Sequence, residues 1–216
     1  MRVPPTRQEH PLPAVIMHAV HLVSLLVLIA TGLYIWEPYY GGAMSVNRML
    51  HFTFMWVFIL TTIVRIYWSF FGGGTAAVGQ RVKYRDFHWF WFHKGSGRAL
   101  VDTIKYYLFL RKDYPQQMKF NPLQKLTYLF WILLIALAAL TGLAIWEPAQ
   151  AFFQPFTDFF GGLVVMRTIH YLITWVFICT VAVHVYLVFA EVIWEVPLMF
   201  AWREVGHKQA EEETRA

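Results

Sequence analysis

Four apolar runs, each close to the ~20 residues a helix needs to cross hydrocarbon, decide most of what this chain can fold into. They cover Val15–Trp36, Met49–Phe71 with Arg65 as its only charge, Leu126–Trp146, and Leu163–Ala190 with Arg167 as its only charge. With 58% of its 216 residues hydrophobic and only 14% charged, the chain has more apolar surface than a soluble domain of this length can bury. The pattern predicts an all-α integral membrane four-helix bundle as one domain over 1–216, with spans at about 13–36, 47–71, 123–146 and 163–194 and a cytoplasmic loop over 72–122.

Cysteine usage narrows the chemistry. The single Cys179 lies inside the fourth run, which excludes an internal disulfide, a four-cysteine iron–sulfur site and a C-x-x-C-H attachment for covalent haem. The first run is too long for a signal peptide and ends in bulky Trp36-Glu37-Pro38, so it is expected to stay in the mature protein. Arg2 and Arg7 precede the first run, and Arg81, Lys83, Arg85, Lys94, Arg98, Lys105, Arg111, Lys112 and Lys119 fill the second connection. Basic residues are retained on the cytoplasmic side, which predicts cytoplasmic termini and a cytoplasmic middle loop. The net charge of +5 is thereby explained by topology and calls for no nucleic-acid partner.

The chain repeats itself. Thr31-Gly32-Leu33-Tyr34-Ile35-Trp36-Glu37-Pro38 recurs as Thr141-Gly142-Leu143-Ala144-Ile145-Trp146-Glu147-Pro148, an offset of 110. Arg48-x-x-His51 recurs as Arg167-x-x-His170, and both copies continue to Trp-Val-Phe-Ile (Trp56 to Ile59, Trp175 to Ile178), now at an offset of 119. The architecture is a duplicated helical hairpin whose second connection is nine residues longer. The copies differ at informative places: Arg65 falls opposite His184, and His18 opposite Tyr128.

Five of nine histidines, His18, His21, His51, His170 and His184, lie in the apolar runs, where ionisable side chains are costly and face the bundle interior. A single intramembrane histidine is as readily a hydrogen-bonding partner for a neighbouring helix as a ligand; four at matched depths favour ligation. His170 and His184 are 14 residues apart, about 21 Å of rise on nearly one helix face. The alternating helix directions then pair His51 with His170 near the outer side and His18 with His184 near the inner side. Each pair can supply both axial nitrogens of a non-covalent haem b, leaving no open site and restricting the chemistry to one-electron transfer. His21, three residues from His18 and about 60° around the helix, is the alternative inner ligand. Arg48, Arg65 and Arg167 are candidates to pair with haem propionates, with snorkelling interfacial arginine as the plain alternative. His88 and His93, within Phe87-His88-Trp89-Phe90-Trp91-Phe92-His93, read as an interfacial amphipathic segment. Asn121 and Gln124 offer neutral hydrogen-bonding groups at the mouth of the third run, on the side of His184, although Asn-Pro ahead of a helix is also an ordinary N-cap.

On these motifs the chain resembles the b-type cytochrome subunit of membrane-bound nickel–iron hydrogenases, within the larger cytochrome b561-like group that includes the formate dehydrogenase cytochrome subunit. The resemblance covers nearly the whole chain: His18 placed 13 residues before Thr31-Gly32, Arg48-x-x-His51, Arg65-x-Tyr67-Trp68, Tyr106-Tyr107, Asn121-Pro122-Leu123, and Arg167-x-x-His170 continuing to His184-Val185-Tyr186. Phe120 departs from the hydrogenase branch, which commonly has histidine there, and Asn121-x-x-Gln124-Lys125 also resembles the formate dehydrogenase subunit. The resemblance implies His18 rather than His21 as ligand. It further implies two haems b, iron–sulfur (small) and catalytic (large) partner subunits, and electron delivery to quinone in a bacterial or archaeal cytoplasmic membrane, for which Asn121, Gln124 and His184 are the candidate contacts. The chain would be an electron-transfer subunit rather than an enzyme on its own. The alternative partner enzyme is a formate dehydrogenase or a sulfur-compound reductase, and a haem-free anchor or transporter is the alternative from another class.

Overall fold

A computed structural model describes residues 7, 9–75, 83–92, 95–113 and 120–204. Arg2, Arg81, His93, Lys94 and Lys119 lie outside the described residues. The chain is all-α, with helices α1 (Leu12–Trp36), α2 (Met44–Phe71), α3 (Asp86–Phe90), α4 (Ser96–Tyr107), α5 (Pro122–Ile145), α6 (Glu147–Phe159), α7 (Leu163–Glu191) and α8 (Val196–Ala201). Helices α1, α2, α5 and α7 are long and apolar enough to span a membrane. In the most apolar stretch of each, between 6% and 17% of the residues are buried within the chain. So much apolar surface turned outward requires lipid as the solvent.

The local sequence accounts for where these helices start and stop. Pro11 and Pro13 stand at the beginning of α1, where a missing N–H costs no helical bond. At the start of α5, Asn121 Oδ1 accepts from the Gln124 N–H (2.6 Å) while Gln124 Oε1 accepts from the Asn121 N–H (2.9 Å). This is a reciprocal capping box with Pro122 in the first turn. Along the spans, hydroxyls are satisfied within their own helices: Thr61 donates to the Val57 carbonyl at 2.7 Å, Thr62 to Phe58 at 2.8 Å and Thr127 to Leu123 at 3.0 Å. In lipid no water is available to do this.

Three stretches differ from the sequence-based expectation. The fourth span, expected to reach residue 194, ends at Glu191. Val192 leaves helical dihedrals (φ −135°, ψ 34°), the chain continues as a 3-10 turn over Ile193–Glu195, and α8 follows with Pro197 in its first turn. The loop expected over 72–122 contains α3 and α4. The nine extra residues of the second connection are accounted for by α6, which begins with Glu147 and Pro148 in its first turn.

Contacts divide the chain into two compact units. Unit one comprises Met1–His18, Ile63–Trp131 and Val192–Ala216. In it Asp86 is the organising group: one carboxylate oxygen accepts from Arg65 Nη2 at 2.8 Å and the other from Thr75 Oγ1 at 2.6 Å. Trp89 Nε1 donates to the Thr75 carbonyl at 3.1 Å, and Lys125 Nζ to the Trp91 carbonyl at 2.7 Å. Arg7 stacks over the Trp202 ring at 4.4 Å, and Trp202 Nε1 donates to the His10 carbonyl at 3.2 Å. Unit two comprises Ala19–Thr62 and Ile132–Glu191 and has its own apolar core of Leu134, Ile173 and Phe177, against which Leu25, Ile135, Ala138 and Ile169 pack.

Candidate haem site

Within unit two, segments of α1, α2, α5 and α7 line a cavity of about 920 Å³, at the upper end of the range for small-molecule sites. Leu28, Ile29, Met55, Phe58, Ile135 and Phe177 form apolar wall, and His51 and His170 project into it from α2 and α7. The two imidazole centroids are 6.4 Å apart, with the ring planes at 75°. A metal–imidazole bond is about 2.0–2.1 Å, and the ring centroid lies about 1.2 Å behind the bonding nitrogen, so two rings on opposite sides of one ion have centroids about 6.4 Å apart. The separation therefore matches a shared axial pair.

Hydrogen bonding fixes which nitrogen each ring presents. Thr31 Oγ1 donates to the Val27 carbonyl at 2.6 Å and stands 2.9 Å from His51 Nδ1. Thr141 Oγ1 donates to the Leu137 carbonyl at 2.7 Å and stands 2.8 Å from His170 Nδ1. A hydroxyl has one proton, and each of these is already given to its own helix, so each threonine oxygen accepts from an Nδ1–H. The tautomer follows: Nε2 keeps its lone pair, as ligation requires. The next residue completes the fit. A Cβ on Gly32 would meet His51 Cε1 at 3.2 Å, and one on Gly142 would meet His170 Cε1 at the same 3.2 Å. The repeated Thr-Gly thus has two jobs in each half, one oriented hydrogen bond and one missing side chain that leaves room for the ring.

Arg48 and Arg167 also line the cavity, and neither makes an ion pair among the described residues. They supply two positive charges against the one negative charge of Glu147. The residues present therefore fit a b-type haem: two facing neutral imidazoles, apolar walls for the macrocycle, and guanidinium groups suited to propionates. Among the described residues no three histidine, cysteine, aspartate or glutamate side chains converge as a metal cluster.

The other sequence-derived candidates stand as follows. His18, in unit one, sets its ring edge-on to Phe200 at 6.4 Å. His184 lies on α7 in unit two. His21 Nε2 stands 3.0 Å from Thr62 Oγ1, whose own proton goes to Phe58; His21 Nε2 is therefore the donor, a hydrogen bond to a neighbouring helix. Arg65 is ion-paired with Asp86. Asn121 and Gln124 have their side-chain oxygens engaged in the helix cap. His88 stacks on Tyr84 with centroids 4.4 Å apart. Sequence reasoning noticed the repeated Thr-Gly without giving it a role; the signal was its identical distance ahead of the two Arg-x-x-His segments once the longer second connection is removed.

The sequence is similar to those of several known proteins. The chain is similar to the probable Ni/Fe-hydrogenase 1 B-type cytochrome subunit of Escherichia coli (strain K12), 28% identical over 196 residues that cover 83% of this chain and 80% of the relative. It is similar to the probable Ni/Fe-hydrogenase B-type cytochrome subunit of Azotobacter vinelandii, 28% identical over 83% of this chain and 78% of that protein. It is also similar to the putative protein-methionine-sulfoxide reductase subunit YedZ1 of Azospira oryzae, 24% identical over 83% of this chain and 89% of the relative. The model of the prokaryotic cytochrome b561 family matches residues 9–202, and the chain belongs to that family as an integral membrane b-type cytochrome.

Proposed function

We propose that this chain is the membrane-anchoring, di-haem electron-transfer subunit of a hydrogenase-type complex, taking electrons from an iron–sulfur subunit and delivering them to membrane quinone. The observation that carries the reading is the His51–His170 pair at 6.4 Å, each ring locked by a threonine of the repeated motif. A b-type haem held between two imidazoles supplies reversible one-electron transfer and has no open position for substrate. The protein's part is orientation and exclusion. Thr31 and Thr141 would orient the two imidazoles that hold the haem, Gly32 and Gly142 leave those rings space, the apolar walls would keep water out, and Arg48 and Arg167 would meet its carboxylates.

A second haem is assigned to His18 and His184. That assignment rests on helix register and on the resemblance to hydrogenase cytochrome subunits, with His21 set aside because its Nε2 proton is committed to Thr62. The basic middle connection is assigned to the cytoplasmic side, which puts the first haem toward the periplasm, where an iron–sulfur partner would dock. Hydrogenase is favoured as partner over a sulfoxide-reductase type because both hydrogenase cytochromes described above share more residues with this chain. Purification with native partners tests the whole reading: co-purification of an iron–sulfur subunit and a nickel-containing subunit, with two acid-acetone-extractable haems per chain, is expected. A fully loaded preparation with one haem per chain overturns the di-haem assignment, and a molybdenum-containing partner overturns the hydrogenase assignment.

A further inference from the structure

The duplication that builds the His51–His170 pair leaves a second, unequal pair of positions. The 110 offset that aligns α1 with α5 puts Tyr128 where the first copy has His18, and the 119 offset that aligns α2 with α7 puts Arg65 where the second copy has His184. Neither residue offers an imidazole lone pair, so this half-site is not a second axial pair. Both residues are hydrogen-bond donors, and both lie in unit one.

Donors there outnumber acceptors. Arg65 Nη2 is spent on Asp86 at 2.8 Å, and the other carboxylate oxygen of Asp86 is taken by Thr75 at 2.6 Å, so that acid has no oxygen left uncommitted. Among the described residues Arg65 Nη1 is buried with no acceptor, as is Nε1 of Trp68, three residues along the same helix. Tyr128 Oη makes no hydrogen bond among the described residues, and the phenol lies within electrostatic reach of Arg65, Asp86 and Glu195. Flat apolar rings surround it: Phe90 at 5.2 Å, Phe120 at 5.4 Å and Trp131 at 6.5 Å between centroids. A buried donor without an acceptor is costly, and two on one helix face point to a ligand oxygen. Asp86 already balances the Arg65 charge, which favours a neutral carbonyl over a carboxylate, and the aromatic surround suits a planar ring.

We propose that Arg65 Nη1 and Trp68 Nε1 bind a carbonyl oxygen of quinone at this half-site, with Tyr128 as a further donor beside it. The assignment deepens the quinone reading above and rests on it. It moves the quinone contact away from Asn121 and Gln124, whose oxygens are used by the helix cap. Asp86 and Thr75 are positioning residues: they hold the guanidinium so that Nη1 faces the ligand.

The test is a fluorescence titration of haem-loaded, purified protein with the quinone analogue 2-heptyl-4-hydroxyquinoline N-oxide, comparing wild type, Trp68→Phe and Tyr128→Phe. Loss of one hydrogen bond to the ligand is expected to weaken analogue binding about five- to tenfold in Trp68→Phe, with haem content and reduced spectrum unchanged. Tyr128→Phe should weaken it in the same direction. Unchanged affinity in both variants overturns the proposal. So does a loss of haem or a shifted haem midpoint with unchanged affinity, because the donors would then serve a haem carboxylate. If the wild-type complex reduces quinone but its cytochrome does not bind the analogue, only this site is wrong. If it neither binds the analogue nor reduces quinone, the quinone reading itself falls.

Discussion

Replacing Thr141 by valine removes one buried oxygen behind the His170 ring and little else. Valine keeps the β-branched shape, and the Leu137 carbonyl that the hydroxyl contacts keeps its backbone partner in α5, so helix and packing should survive. What is lost is the acceptor 2.8 Å from His170 Nδ1. A buried N–H without an acceptor costs about 1–3 kcal/mol, and loss of an outer partner of a metal-ligating histidine lowers metal affinity about 10–100-fold. Both effects act on the ring that must hold Nε2 toward iron. The Nδ1–H bond also makes the imidazole more basic and favours the oxidised metal, so its removal should raise the midpoint potential. Haem per chain after detergent purification, and a redox titration of the retained haem, read the two effects separately. Thr141→Ser keeps the oxygen and should restore both. Because Thr31 and His51 repeat the arrangement at 2.9 Å, Thr31→Val should lower retention and raise the potential to a similar extent. Full haem retention at an unchanged potential in Thr141→Val would refute the argument that the hydroxyl orients the ligand, and a large effect at one threonine with none at the other would refute their equivalence.

Three further outcomes are expected. Gly142→Ala should disturb the same haem, because the added Cβ would stand 3.2 Å from His170 Cε1; a normal low-spin spectrum with full occupancy in that variant would show that the ring has room to move. His18→Ala should remove the second haem while His21→Ala leaves both spectra intact, since His21 is hydrogen-bonded to Thr62; the reverse pattern would move the ligand by three residues. Asn121→Ala should cost about 1 kcal/mol of stability, as loss of a helix N-cap does, with quinone turnover retained; loss of turnover at unchanged thermal stability would return the quinone to the cap.

The spans were legible because lipid demands long apolar helices and little else satisfies that pattern. Their ends were less so. The stop of α7 at Glu191 is a break in the backbone of Val192 that no residue type announces, and α6 depends on a Glu-Pro pair whose first-copy equivalent, Glu37-Pro38, starts no helix. The facing of His51 and His170 could be anticipated because an imidazole in an apolar run needs a reason, and the matched Arg-x-x-His segments supplied one. The threonines could not be read in the same way. In a membrane helix nearly every threonine bonds back to its own helix, as Thr61, Thr127 and Thr180 do here. Thr31 and Thr141 do so too, and only the partner on the facing helix separates them from the rest.

The duplication explains why half of the chemistry is symmetric and half is not. His51 and His170 occupy equivalent positions in the two copies, so the proposed ligand pair is one residue used twice, and its surroundings repeat with it: threonine oxygen to ring nitrogen at 2.9 and 2.8 Å, and a glycine on which an added Cβ would stand 3.2 Å from the ring in both copies. A site of that kind cannot diverge in one copy without losing the ligand in both. His18 and His184 are under no such constraint, because their equivalents are Tyr128 and Arg65. A duplicated fold could begin with two like positions and keep only one as a ligand pair, which frees the other for a different donor set. Asp86 marks that release: it is a buried carboxylate contributed by α3, outside the repeated motifs, and it neutralises the arginine that stands where the other copy has its histidine. The symmetric half is thereby suited to holding a group of fixed chemistry, and the asymmetric half to meeting a second one.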